Sequence, residues 1–242
     1  MPLTFTVARG LTREVTRSLT RASGGGGASP FDSVVLLLDF AGADEATDIT
    51  DLSNSAHVES MDGAAQVDTG LTFLGENTIL SLNNADVIVY PDSADWDFGT
   101  GDFTIEFGWY FAGSVPAWAA PMGGGSGTTG WSIVHQNGIP QIRWTNGVTL
   151  VKTETWAPVH STWYHFVVCR EGTNLRIFVD GVQLGTPTTD STNITGATGL
   201  HLMEQLAATN TFDGSIGAVR IAKGHAFYTE NFTAPTEFYP RS

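Results

Sequence analysis

Six histidines, one cysteine and seven tryptophans are the residues here whose chemistry depends most on spacing. The histidines stand at 57, 135, 160, 165, 201 and 225 and form no HExxH or HxH pattern, so no local template for zinc exists. His165 falls on an alternating apolar segment, where a hydrogen-bonded core histidine is a simpler reading than a ligand. Cys169 lies on the same segment without a nearby Asn or Asp motif, so it reads as a small buried hydrophobe rather than a nucleophile. As the single cysteine it has no intramolecular disulfide partner. The run Gly123-Gly124-Gly125-Ser126-Gly127 lacks a following Lys-Ser/Thr and a helix, and reads as a loop rather than a phosphate cradle. Trp118, beside that run, and Trp156, in Thr155-Trp156-Ala157-Pro158, are the tryptophans least explained by strand alternation. Exposed rings of this kind stack on sugar faces while Asp or Asn take the hydroxyls, which makes them the candidate glycan-binding residues; core packing is the competing reading.

The elements that must position these residues are strands. Of 242 residues only 15% are charged, while 28 are Gly and 11% are aromatic, a composition that favours strands and turns over helices. Residues 34–40 form a short apolar run suited to a strand buried on both sides. Residues 103–111 alternate, placing Phe103, Ile105, Phe107, Trp109 and Phe111 on one face. Segments 131–135, 141–145, 163–170, 175–179, 182–184, 199–203 and 215–222 read as further strands, with Asn137-Gly138, Asn146-Gly147 and Asp180-Gly181 as hairpin turns. Trp163 and Tyr164 point to opposite faces, so at least one belongs in the core. About a dozen short strands without a 40-residue repeat describe an antiparallel β-sandwich or jelly roll, not a propeller. No apolar run is long enough to span a membrane.

Charge divides the chain in two. Residues 1–30 carry Arg9, Arg13, Arg17 and Arg21 against Glu14, a net of +3, and subtracting this from the chain's −14 leaves −17 on residues 31–242. A body so acidic is a poor partner for nucleic acid or an anionic membrane. The arm repeats in fours, Leu11-Thr12-Arg13-Glu14, Val15-Thr16-Arg17-Ser18, Leu19-Thr20-Arg21-Ala22, and Gly24-Gly25-Gly26-Gly27-Ala28-Ser29-Pro30 joins it to the body as a flexible linker by composition. As a helix it would carry an apolar stripe opposite a basic one; as an extended strand, Leu11, Arg13, Val15, Arg17, Leu19 and Arg21 share a face. Thr, Val and Ser are mediocre helix formers, which favours the extended form. Such a segment has too little apolar surface to fold alone and is expected to order on a partner; a disordered solubilising tail is the alternative. Arg9 and Arg13 interrupt the place where a secretory signal would be greasy, so the expectation is synthesis in the host cytoplasm without a signal peptide.

Four phrases in order carry a resemblance: Val35-Leu36-Leu37-Leu38-Asp39-Phe40-Ala41-Gly42, residues 90–107 around Asp95-Trp96-Asp97-Phe98-Gly99-Thr100-Gly101-Asp102, residues 162–181 ending in Val179-Asp180-Gly181, and residues 212–221 around Asp213-Gly214-Ser215. Together they resemble the laminin-G-like, or concanavalin A-like, jelly-roll domains over about residues 33–238. The whole layout, with a Thr/Arg-rich arm before one such domain, is similar to bacteriophage virion proteins. The resemblance implies an all-β sandwich with an extended N-terminal arm, and leaves function open among lectins, adhesion modules, glycosidases and structural domains.

A glycosidase of this class would need paired carboxylates such as Glu-x-Asp-x-x-Glu. Glu106, Glu171 and Glu204 all lack that neighbourhood, so a non-enzymatic protein is expected. The resemblance also raises Ca²⁺ at a sandwich rim, with Asp39 and Asp213 at the matching positions and Asp92, Asp95 and Asp97 clustered in a turn. Gly217 and Ala218 stand where the family often has another Asp, a departure that favours turn-capping carboxylates instead. The expectation that joins these readings is an accessory structural protein on the surface of a virion, as capsid decoration, fibre or tail appendage. Its arm, with Arg9, Leu11, Arg13, Val15, Arg17, Leu19 and Arg21, would anchor it to other virion proteins, and its sandwich would face a host-surface glycan. A homo-oligomer fits the same picture, and neither nucleic acid nor membrane insertion does. The alternative is a free carbohydrate-binding or adhesion module, Ca²⁺-dependent or not.

Overall fold

The computed structural model describes residues 29–81, 86–113, 118–124, 130–136, 150–203 and 214–241, and the backbone alone of 141–145. The strands, in chain order, are β1 Val34–Leu38, β2 Ser60–Asp62, β3 Gln66–Phe73, β4 Glu76–Leu80, β5 Val87–Tyr90, β6 Phe103–Phe111, β7 Trp118–Gly124 and β8 Trp131–Gln136. Then follow β9 Gln141–Thr145, β10 Leu150–Thr155, β11 Trp163–Glu171, β12 Asn174–Val179, β13 Val182–Gln183, β14 Thr188–Thr189, β15 Leu200–Leu202 and β16 Gly214–Lys223. Every named pairing is antiparallel, and no α-helix occurs among the described residues.

Two sheets face each other. The first runs β13-β12-β11-β6-β16-β4-β3, with β1 also paired to β16 and β14 to β12; the second runs β10-β9-β8-β7-β15-β5-β2. The long strand β16 pairs with β6 on one side, and on the other with β4 through Ser215–Gly217 and then β1 through Val219–Ala222. A register shift lies between Gly217 and Arg220, where Ala218 takes a left-handed φ of 41°. This bulge turns Val219 and Ile221 as well as Ile216 into the core.

The expected row Phe103, Ile105, Phe107, Trp109 and Phe111 is fully buried between the sheets, packed against Ile88, Met122 and Ile133 of the opposite sheet. Trp96 and Phe98 close one sandwich edge: the Trp96 indole donates to the Pro91 carbonyl at 2.9 Å, and Trp131 donates to the Trp96 carbonyl at 3.0 Å. Tyr164 packs against this core, whereas Trp163 packs into a second apolar layer on the far side of the first sheet.

That second layer exists because the chain's last segment, 224–241, lies across the outer face of β6, β11, β12 and β16. Tyr239 packs with Val34, Leu37 and Phe73, while Tyr228 and Phe232 cover Val167, Cys169 and Phe178. The Tyr228 and Phe232 rings stack with centroids 3.8 Å apart. Strand β6 is therefore buried on both faces, and Thr104 and Glu106 are as inaccessible as the phenylalanines beside them.

Strand direction gives the sandwich two poles. β6 begins at Phe103 opposite Lys223 and ends at Phe111 opposite Gly214, so nine residues separate the poles by about 27 Å. Ser29, which caps the 3-10 turn Pro30–Ser33, leads into Val34 opposite Ala222; the root of the arm thus lies at the Phe103 pole.

Candidate functional site

At the Phe111 pole, one cross-strand row links Trp118 to Gln136, Gln136 to Gln141 and Gln141 to Thr155. Three inter-strand steps set Trp118 about 14 Å from Thr155, and Trp156 follows immediately. The two expected glycan-binding tryptophans thus share one rim.

Their side chains differ in use. Trp118 opens β7 with its neighbour Ala119 in the core, so strand alternation turns the indole outward, and it is 39% exposed. Trp156 instead closes the mouth of the core. Its ring meets Tyr164 at 5.0 Å, His135 at 5.6 Å and Trp109 at 5.7 Å. His135 Nε2 contacts the Trp156 carbonyl at 3.4 Å, and burial pushes the imidazole's pKa down, favouring its neutral form. The Tyr164 hydroxyl accepts the Val159 amide at 2.8 Å, and Ser161 donates its amide to the Phe111 carbonyl at 2.8 Å. These bonds hold segment 156–162 against the sandwich while Val159 remains exposed. An outward indole beside a fixed, partly apolar ridge offers stacking area with polar edges, the surface a sugar ring requires.

Asp39 is 6% exposed, and its two oxygens are both engaged: Oδ1 accepts the Ala41 amide at 3.0 Å and Oδ2 accepts Arg241 Nη2 at 2.7 Å. A guanidinium stands where a cation would, and Ala218, on the neighbouring bulge, is buried among apolar side chains. Asp95 accepts from Ser55 Oγ at 2.9 Å and lies 3.0 Å from His57 Nε2, while Asp97 accepts the Ala197 amide at 3.0 Å. No group of three or more His, Cys, Asp or Glu side chains suited to a metal occurs among the described residues. The surroundings of Asp39 do not fit a calcium ion. Asp213 and the arm residues Arg9 to Arg21 lie outside the described residues.

The most strongly perturbed carboxylate is one that local sequence did not single out. Glu106 is wholly buried under the C-terminal segment and meets only donors: Arg220 Nε at 2.6 Å, His165 Nε2 at 3.0 Å and the Tyr228 hydroxyl at 3.0 Å. Burial works against its ionisation, but Arg220 and the His165 hydrogen bond outweigh it and hold the carboxyl below its ordinary pKa. Burial raises Tyr228, and the neighbouring Glu106 charge adds to the effect, so the phenol stays protonated. A sealed, ionised carboxylate with every neighbour a donor can neither attack a sugar nor protonate a leaving group; it fastens tail to sheet. Two signals could have found it: a charge at the centre of an aromatic strand, and aromatics Phe227, Tyr228, Phe232, Phe238 and Tyr239 crowded after the last strand.

Arg170 plays a similar part at the Phe103 pole. It is fully buried, pairs with Asp190 at 3.1 Å and donates to the Gly99, Gly101 and Thr192 carbonyls, tying loop 99–102 to loop 190–192. Cys169 is buried 3.4 Å from Thr104 Oγ1, and burial raises its thiol pKa, the opposite of an activated nucleophile.

The family described as Laminin_G_3, concanavalin A-like lectin/glucanases superfamily, matches residues 82–226, more than half of the chain. No curated protein matches it in sequence. Among solved structures, the binding domain of Paraclostridial Mosquitocidal Protein 1 superposes with a TM-score of 0.64 at 14% identity, over 83% of this chain and 51% of that one. The binding domain of botulinum neurotoxin DC, solved in complex with rat synaptotagmin II, gives 0.58 at 14% identity over 81% and 50%. A structure of botulinum neurotoxin type C, whose cell entry is described as dependent on two ganglioside molecules, gives 0.57 at 14% identity over 81% and 49%. The chain spans about half the length of these domains, and at such identity the likeness shows the fold.

Proposed function

Because the chain belongs to the concanavalin A-like lectin/glucanase superfamily, we propose that it is a non-catalytic recognition module, held on a larger assembly by its basic arm and presenting its Phe111-pole rim to a glycan-bearing surface. One observation carries this reading: the arm's root and the rim of Trp118 and Val159 occupy opposite poles of the sandwich. A module built this way can be tethered and still display its rim. The buried, donor-saturated state of Glu106 supports a binding role over hydrolysis. Synaptotagmin II and the gangliosides of cell entry, in the descriptions of the structural neighbours, support recognition at a cell surface.

The assembly we infer is a virion, with the module on the particle surface as a decoration, fibre or tail appendage. This rests on the layout of the chain, a +3 arm of three Thr/Arg repeats joined through four glycines to a −17 body. Like charges keep the bodies apart, while the arm supplies hydrogen-bonding backbone and alternating Leu, Val and Arg side chains to a neighbouring subunit. Deletion of residues 1–30 is expected to leave the body folded and able to bind glycan while abolishing its co-sedimentation with particles. Retention of the truncated protein on particles would remove the anchoring role.

A further inference from the structure

At the Phe103 pole two adjoining cavities form where the 3-10 turn after Ser29 meets the end of β16 and the C-terminal segment. One, of about 340 Å³, is walled by Pro30, Phe31, Val34, Phe227 and Pro240, with Arg220 also lining it. The other, of about 370 Å³, shares Ser29 and Pro30 with it and adds Asp32, Lys223 and His225. Arg220 is 6% exposed, and its guanidinium is covered by Phe227 at 3.9 Å and Tyr239 at 4.4 Å, so new partners must approach in its plane. Nε and Nη2 are spent on Glu106, and Nη2 also reaches the Tyr228 hydroxyl at 3.3 Å. Nη1 makes no hydrogen bond among the described residues. A buried cation thus brings unspent donors to a mainly apolar chamber.

We propose that this cavity binds a small organic carboxylate, its flat apolar body held between Phe227 and the two prolines and its oxygens accepting from Arg220 Nη1. A guanidinium edge matches a carboxylate in plane, and the bond it makes there is charge-assisted. Glu106 offsets the net charge of Arg220 but occupies only its Nε and Nη2, so the ligand is held by the directional Nη1 donors; in the adjoining chamber Lys223 and Asp32 offset one another. Such a ligand touches both the turn that follows the arm and the tail that seals the sheet, so binding clasps the two ends of the body and raises its stability by mass action.

The probe is benzoate, with benzamide as the uncharged isostere, titrated into the full chain while backbone amide shifts are followed by NMR. Arg220→Ala would strand Glu106 without its cation, so the site is tested by plugging it from the surface with Pro240→Trp and, separately, Ser29→Trp. Benzoate is expected to shift the Phe31, Val34 and Phe227 amides saturably, and benzamide to bind about tenfold more weakly, as a neutral bond replaces a charged one. Both plugged variants are expected to lose the response while melting, without benzoate, at the temperature of the unmodified chain. The assignment is overturned by the absence of saturable shifts, by benzamide binding as tightly as benzoate, or by plugged variants that respond like the original.

Discussion

Phe232 donates its amide to the Gly181 carbonyl at 2.9 Å, and the Phe232 carbonyl oxygen lies 2.0 Å from the point a β-carbon on residue 181 would occupy. The Asp180-Gly181 hairpin is therefore the bed on which the C-terminal segment rests as well as a turn. Asp180 and Gly181 both have positive φ, 49° and 78°, as a two-residue hairpin of this twist requires. Gly181→Ala is expected to cost about 1–2 kcal/mol for the left-handed backbone alone, plus whatever the displaced tail loses. The measurement is thermal unfolding combined with limited proteolysis after residue 224. An unchanged melting temperature and an uncut tail would show that the tail does not depend on this seat.

Glu106 is the charged centre of the same seal. Replacing it with Gln leaves Arg220 buried without its counter-ion, and the expected loss is about 3–5 kcal/mol in urea unfolding at neutral pH. The folded carboxyl titrates below its ordinary value, so the unfolded chain takes up the proton first as pH falls. Its contribution is thus complete above the ordinary glutamate pKa and disappears as pH drops through the lower folded pKa. The gap between the original chain and Glu106→Gln should narrow across that acidic window. A gap constant with pH would mean that lost packing, not lost charge, sets the cost.

Much of the sandwich was legible because its signals are local. Residues 103–111 alternate, Asp180-Gly181 marks its own hairpin, and both kept their expected bounds within a residue or two. β7 was missed because Trp118–Gly124 contains Pro121 and two glycines; the structure accommodates the proline at a register shift between Ala119 and Met122. β3 was missed because its pattern is mostly polar and half-exposed, as at a sheet edge. The Arg241–Asp39 pair joins residues 202 positions apart, and Glu106 meets Arg220 across 114. No local pattern records such partners, so the sequence offers Asp39 as a turn cap or a calcium ligand and gives no sign of Arg241. Alternation also says which face a residue shares but not that a later segment will cover that face, so the sequence gives Glu106 neither its burial nor its partners.

Phe73 depends on two glycines in facing strands. Gly108 and Gly217 are paired in register, and β-carbons there would stand 2.4 and 2.6 Å from atoms of the Phe73 side chain. The ring lies in the space left by two missing side chains, tilted against Trp163 with ring centroids 4.9 Å apart. Gly108→Ala is expected to cost about 1–3 kcal/mol by overpacking. In the Phe73→Ala background the same change should cost much less, since the atoms it strikes are gone. Equal costs in both backgrounds, measured by chemical unfolding as a double-mutant cycle, would detach the glycine pair from the ring.

The two rim tryptophans separate recognition from stability. Trp118 is 39% exposed at the first residue of its strand, so Trp118→Ala should cost about 1 kcal/mol, the central value for point substitutions. Trp156 is packed against Trp109, His135 and Tyr164, and truncating it opens a void at the core's mouth, costing up to about 3 kcal/mol. If the rim stacks on sugar, Trp118→Ala abolishes glycan-array binding by a protein that stays folded, while Trp156→Ala lowers the melting temperature further and weakens binding only as segment 156–162 loosens. A Trp118→Ala protein that keeps its glycan signal would move the binding surface off this pole. It would also break the link between the exposed indole and the function inferred for the rim.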